Sequence, residues 1–120
     1  MTTVQFEQSM ILFRKEAVII QFTVTYKVDD SAVDCSSATC SFSVKRRVTD
    51  ADSTVKIQVA DASFDKTDAA TGILLMTLTR DNTDLTPAPY VAQLELDFGV
   101  GNRPFSDLVA LEIKTPVIPL

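Results

Sequence analysis

The sequence predicts an all-β fold, a sandwich of two antiparallel sheets with about seven strands and at most one helical turn. The first observation behind this is the run Val18, Ile20, Phe22, Val24, Tyr26 and Val28, in which every even position is apolar and Gln21, Thr23, Thr25 and Lys27 stand between. Side chains on a strand alternate faces at a period of two, so the run is a long strand with one dry and one wet face. The second is that similar alternation returns several times at short spacing. The third is that no strand–helix–strand alternation occurs, which argues against a parallel α/β fold. Two packed sheets let each amphipathic sheet cover the other's dry face, and a closed barrel is the other solution.

The elements follow in order. Residues 4–13 are apolar but less regular, with Met10, Ile11, Leu12 and Phe13 together. Four adjacent apolar residues on a strand place two on each face, so this strand is either covered on both sides by its own fold or open for assembly. Arg14, Lys15 and Glu16 break the pattern, residues 17–28 form the long strand, and Asp29, Asp30 and Ser31 turn the chain. Cys40, Phe42, Val44 and Val48 then share one parity, with Ser41, Ser43, Lys45 and Arg47 opposite. Val55, Ile57 and Val59 make a shorter strand, and residues 61–68 read as loop. Ile73 to Leu78 is a strand with both faces partly apolar. Residues 81–85 suggest one helical turn capped by Asp81. Pro87 and Pro89 bracket a rigid connection. Tyr90, Ala92, Leu94, Leu96 and Phe98 alternate, and so do Val109, Leu111 and Ile113. Pro116 and Pro119 keep the tail from pairing regularly. Ile20, Phe22, Val24, Phe42, Val44, Ile57, Met76, Leu94, Leu96 and Leu111 are the expected core.

The chain has 120 residues, 46 % of them apolar, and a net charge of −5. That is one domain's worth of chain, with enough apolar content for its own core. The acidic balance argues against a nucleic-acid partner. Lys45, Arg46 and Arg47 are the one basic cluster and read as a solvated strand end. No apolar run approaches the roughly 20 residues of a membrane span, and no charged-then-apolar leader pattern opens the chain. The expectation is therefore no nucleic acid and no membrane.

Little in the sequence points to catalysis. There is no histidine, which removes the commonest general base and metal ligand. Three scattered glycines cannot form a phosphate loop. Cys40 has core parity and Cys35 falls in the loop before it. A disulfide closing so short a loop would contribute roughly 2 kcal/mol, but free buried thiols are expected here. Asp29, Asp30 and Asp34, and Asp61, Asp65 and Asp68, are acidic loop groups whose spacing matches no calcium loop, so they read as solvated turn residues. No catalytic residue, cofactor or metal is expected, and the chain reads as a non-enzyme.

One ordered arrangement is more specific. It comprises Phe22-Thr23-Val24, a turn near Asp29-Asp30, Val33 to Ala38 leading into Thr39-Cys40-Ser41-Phe42-Ser43-Val44-Lys45-Arg46, then Thr71-Gly72 with the strand to Thr79, Asn82-Thr83-Asp84-Leu85, and Pro89-Tyr90-Val91-Ala92-Gln93-Leu94. It resembles the immunoglobulin-like β-sandwich at the N-terminus of tailed-phage baseplate upper proteins and in small phage structural proteins. Cys35 and Ser36 stand where that family's turn carries Leu-Thr, and no glycine stands in the residues just before Tyr90, where the family usually has one. The resemblance covers about residues 17–115, with 1–16 as an N-terminal strand or arm and 116–120 as a tail. It implies a virion protein, assembled in the host cytoplasm and placed in the tail, in the baseplate or as a cement protein on the capsid surface. Its partners would be other virion proteins and, as a homo-oligomer or in many copies, itself. The different-class alternative is a carbohydrate- or receptor-binding module, which usually exposes aromatics; Tyr26 and Tyr90 both have core parity. The expected partner-binding residues are Met10, Ile11, Leu12, Phe13, Val117, Ile118 and Leu120, because apolar chain ends beyond a finished sandwich are costly in water unless covered.

Overall fold

In the computed structural model the described residues are 4–5, 10–26, 28–51, 54–99, 101–104 and 108–117. Ten strand segments occur: β1 (Val4–Gln5), β2 (Met10–Phe13), β3 (Val18–Thr23), β4 (Thr25–Tyr26), β5 (Thr39–Lys45), β6 (Ile57–Val59), β7 (Phe64–Asp65), β8 (Ile73–Leu78), β9 (Ala88–Asp97) and β10 (Val109–Lys114). One sheet has the order β2-β10-β9-β5-β6, the other β3-β8-β7, and β1 pairs with β4. This is an all-β sandwich of two main sheets. Tyr90, near the start of β9, donates its hydroxyl proton to the Thr86 carbonyl at 2.6 Å, the corner contact typical of such domains.

The two sheets meet through alternating inward residues. Phe22 of β3 lies 5.5 Å from Phe42 of β5 and 6.3 Å from Phe64 of β7, centroid to centroid. Nine of the ten expected core residues are fully buried around them. Ile20 is only partly buried, because β3 is the edge of its sheet and has a neighbour on one side only.

Several sequence expectations need correction. The pairing is antiparallel except between β2 and β10, which run parallel; such a pair requires a long connection, and here nearly the whole domain supplies it. The strand expected over 17–28 breaks at Val24. Its N–H donates to the Gly72 carbonyl at 2.7 Å and its own carbonyl accepts the Val33 N–H. Gly72 makes this crossing possible: its φ is +82°, and a Cβ there would stand 2.5 Å from the Val24 oxygen. Val28, expected on the dry face, lies in the following turn and is exposed. Val48 is likewise exposed, because β5 ends at Lys45 and the chain turns before reaching it.

The loop expected over 61–68 contains β7 and a 3-10 turn at Asp61–Ser63, and a second such turn covers Ala69–Thr71. Around 81–85 the chain makes single hydrogen-bonded turns and no helix: the Thr83 N–H reaches the Thr79 carbonyl at 3.4 Å and the Asp84 N–H the Asp81 carbonyl at 3.3 Å. Asn82 accepts both the N–H and the hydroxyl of Thr79 through Oδ1, closing the turn with a side chain. Thr79 rather than Asp81 takes the capping position, since its Oγ1 accepts the Asn82 N–H at 3.2 Å. Pro89 lies inside β9 rather than in a connection. It is tolerated because β5 has already ended at Lys45, opposite Val91, and Arg46 Nη1 donates to the Pro89 carbonyl in place of a strand.

Candidate functional site

β2 carries four of the seven residues expected to bind partners, and the fold divides them. Leu12 is buried and Met10 is half-buried against the core. Ile11 is 58 % exposed and Phe13 43 %. One face of the strand thus belongs to the core and the other looks outward. On β10, Glu112 stands beside Ile11 and Lys114 beside Phe13.

A long-range strap fixes this edge. Lys15 adopts φ +62°, folding the chain so that the Glu16 N–H reaches the Phe13 carbonyl at 3.1 Å and a Glu16 carboxylate oxygen accepts the Phe13 N–H at 3.0 Å. The Thr83 hydroxyl donates to the Glu16 carbonyl at 2.7 Å, and the Lys15 N–H donates to the Thr83 carbonyl. Arg14 Nε meets Asp84 Oδ1 at 2.8 Å, an exposed pair of small energetic weight that holds the Asp84 carboxyl below its ordinary range. Thr83 is the buried polar side chain of the described residues, and its sequence position gave no sign that it would grip a turn 67 residues away. The same turn occupies both polar backbone groups of Phe13, which blunts the strand edge.

At the tail, Val117 is 99 % exposed, while Ile118 and Leu120 lie outside the described residues. Pro116 is half-buried. The tail leaves β10 beside an open depression of about 450 Å³ lined by Pro87, Ala88, Pro89 and residues 112–115. Lys114 borders both this depression and Phe13, so the outward half of β2 and the root of the tail lie at one end of the sheet.

The other candidate groups are held in local structure. Asp29, Asp34 and Asp65 each accept the N–H and hydroxyl of the Ser or Thr two residues on, and these hydrogen bonds lower all three carboxyl pKa values. Asp61 accepts from Lys66 Nζ at 2.7 Å and from the Cys40 N–H at 2.8 Å, and the Lys66 bond is the larger cause of its lowered pKa. Cys35 and Cys40 are free and both buried, Cys35 from its place in the loop before β5. Burial pushes their thiols up to about 12 and about 11. Arg46 lies 5.7 Å over the Tyr90 ring, so the basic cluster partly covers a core aromatic instead of standing free. Tyr26 is half-buried.

Sequence reasoning missed Val91 and Leu108. With Val48 they border a hollow of about 80 Å³ on the outward face of the five-stranded sheet. Val91 stands among the wet-face residues of β9, and its apolar side chain alone was no signal until β10 and Leu108 came beside it.

A scan of the chain against protein-family models finds no match, and no curated protein compared with it matches either.

Proposed function

We propose that this chain is a non-enzymatic structural protein of a tailed-phage virion, a small sandwich that docks on other virion proteins in the tail or baseplate or on the capsid surface and so assembles or stabilises the particle. The particle comes from the sequence resemblance. The observation that carries the docking role is the outward half of β2, where Ile11 and Phe13 stand exposed on a strand whose position is fixed by the Thr83 strap. Apolar side chains on a backbone already held in place spare a contact the cost of ordering the chain and are suited to a permanent contact. Exposed Val117, leaving the same end of the sheet, extends that surface into the tail.

The test is incorporation. Ile11→Lys with Phe13→Lys, and separately deletion of residues 116–120, should leave the melting temperature nearly unchanged and lower recovery in particles by about tenfold or more, as loss of apolar anchors does. A pull-down with purified capsid and tail proteins identifies the partner. Variants that enter particles as well as the parent chain would overturn the docking surface.

A further inference from the structure

Four of the seven large apolar side chains exposed among the described residues (Ile11, Phe13, Val48 and Leu108) border one surface, the outward face of the five-stranded sheet. Val91 and Ala110, paired in register across β9 and β10, continue the apolar area between them. Val48 and Leu108, 57 % and 51 % exposed, overhang the small hollow beside Val91. An exposed apolar area of this extent marks a contact surface.

We propose that this face binds a second copy of the chain, giving a two-fold dimer with the five-stranded sheets packed face to face. Charge favours a copy. The chain carries −5 overall, yet on this face Lys45, Lys114 and Arg103 balance Glu95, Asp97 and Glu112, three against three. Two acidic chains therefore meet without net repulsion on this face. Area permits it. The five strands, from three residues in β6 to ten in β9, spaced about 4.8 Å apart, present a face of roughly 480 Å², close to the roughly 500 Å² per partner of the smallest specific interfaces.

Symmetry adds a register. β9 is the central strand, so a two-fold axis along it lays β9 on its counterpart and β5 on the partner's β10. Lys45, Val91 and Ala110 share one row, with Glu112 one row away on β10. The axis therefore brings Lys45 of each copy within a side chain's reach of the opposite Glu112 row.

This deepens the multi-copy part of the proposed function by naming the surface, and its test needs no particle. Sedimentation velocity of the purified chain over a wide concentration range should show a reversible monomer–dimer equilibrium. Val91→Lys and Leu108→Glu, both at outward positions, should weaken it about tenfold or more while leaving the thermal melt unchanged. Ile19→Lys, on the outward face of the other sheet, should leave it as it was. A parent chain that remains monomeric throughout overturns the dimer and leaves the face to a different protein. So does a dimer that survives Val91→Lys and Leu108→Glu, or one abolished by Ile19→Lys. A monomer that still enters particles defeats the dimer alone, and a dimer that never enters them defeats the virion reading alone.

Discussion

The β5–β9 ladder and the β2–β10 ladder lie in one sheet and are held in different ways. β5 and β9 share seven antiparallel register pairs, from Thr39 with Asp97 to Lys45 with Val91. Their inward residues Cys40, Phe42, Val44, Ala92, Leu94 and Leu96 are all buried. β2 has four parallel pairs with β10 and one fully buried residue, Leu12. What the edge lacks in burial it gains from hydrogen bonds to a distant turn: Thr83 on Glu16, Lys15 on Thr83, and Arg14 on Asp84. A strand at the centre of a sheet is positioned by apolar burial that any good alternating sequence supplies. A strand at the edge must be fixed by particular polar contacts, and for that reason it can present Ile11 and Phe13 outward.

Four changes probe this contrast, in falling order of effect. Phe42→Ala, which removes a ring packed against Phe22, should cost about 3–5 kcal/mol in urea unfolding. A loss under about 1 kcal/mol would mean that the centre is not held by burial.

Gly72→Ala should cost about 3 kcal/mol, since it combines a positive φ with a Cβ set against the Val24 carbonyl. The comparison sharpens if Ala at Gly99, with a similar φ of +81° but open space around it, costs only about 1 kcal/mol.

Thr83→Val keeps the shape and removes the hydroxyl that holds Glu16. It should cost about 1–2 kcal/mol. Amide hydrogen exchange should rise at Arg14 and Lys15 before it rises in β5 or β9. Uniform exchange across both ladders would show that the strap does not position β2.

The smallest effect is acid sensitivity at Asp61. Its folded pKa lies below the ordinary 3.8, chiefly because Lys66 donates to it. Between the folded and unfolded values the unfolded chain binds more protons, so acid favours unfolding. The contribution is complete above 3.8 and is lost as pH falls through the lower folded value. Asp61→Asn should flatten the stability–pH curve in that window and leave it unchanged near neutrality apart from a constant offset. An unchanged acid slope would remove the Lys66–Asp61 contact from the account.

Much of the sandwich was legible because a period of two is a local property. The parity of Phe22, Val24, Phe42, Val44, Leu94 and Leu96 assigns each to the dry face without reference to any other strand, and all six are buried. The same parity failed at Val28 and Val48, where the strand had ended before the alternating letters did. The Met10–Phe13 run was legible as too apolar for one face, and Ile11 and Phe13 are its outward half. Two of the three residues expected in the tail, Ile118 and Leu120, fall outside the described residues. The outward area around Val91 and Leu108 was not legible, since an isolated apolar residue on a wet face carries no signal until strand order gathers several together.

By itself, the sequence determined the all-β class, the inward residues of the central strands and the residue types at the turns, because each depends on neighbours within a few positions along one chain segment. Only the tertiary structure decided the rest. It broke the long strand at Val24, where a carbonyl comes up against Gly72; it laid β2 parallel to β10; it set Thr83 under the Glu16 turn; and it gathered Val48, Val91 and Leu108 on one face. Each of these joins residues far apart in sequence, and nothing in a local pattern states which distant partner will arrive or from which side.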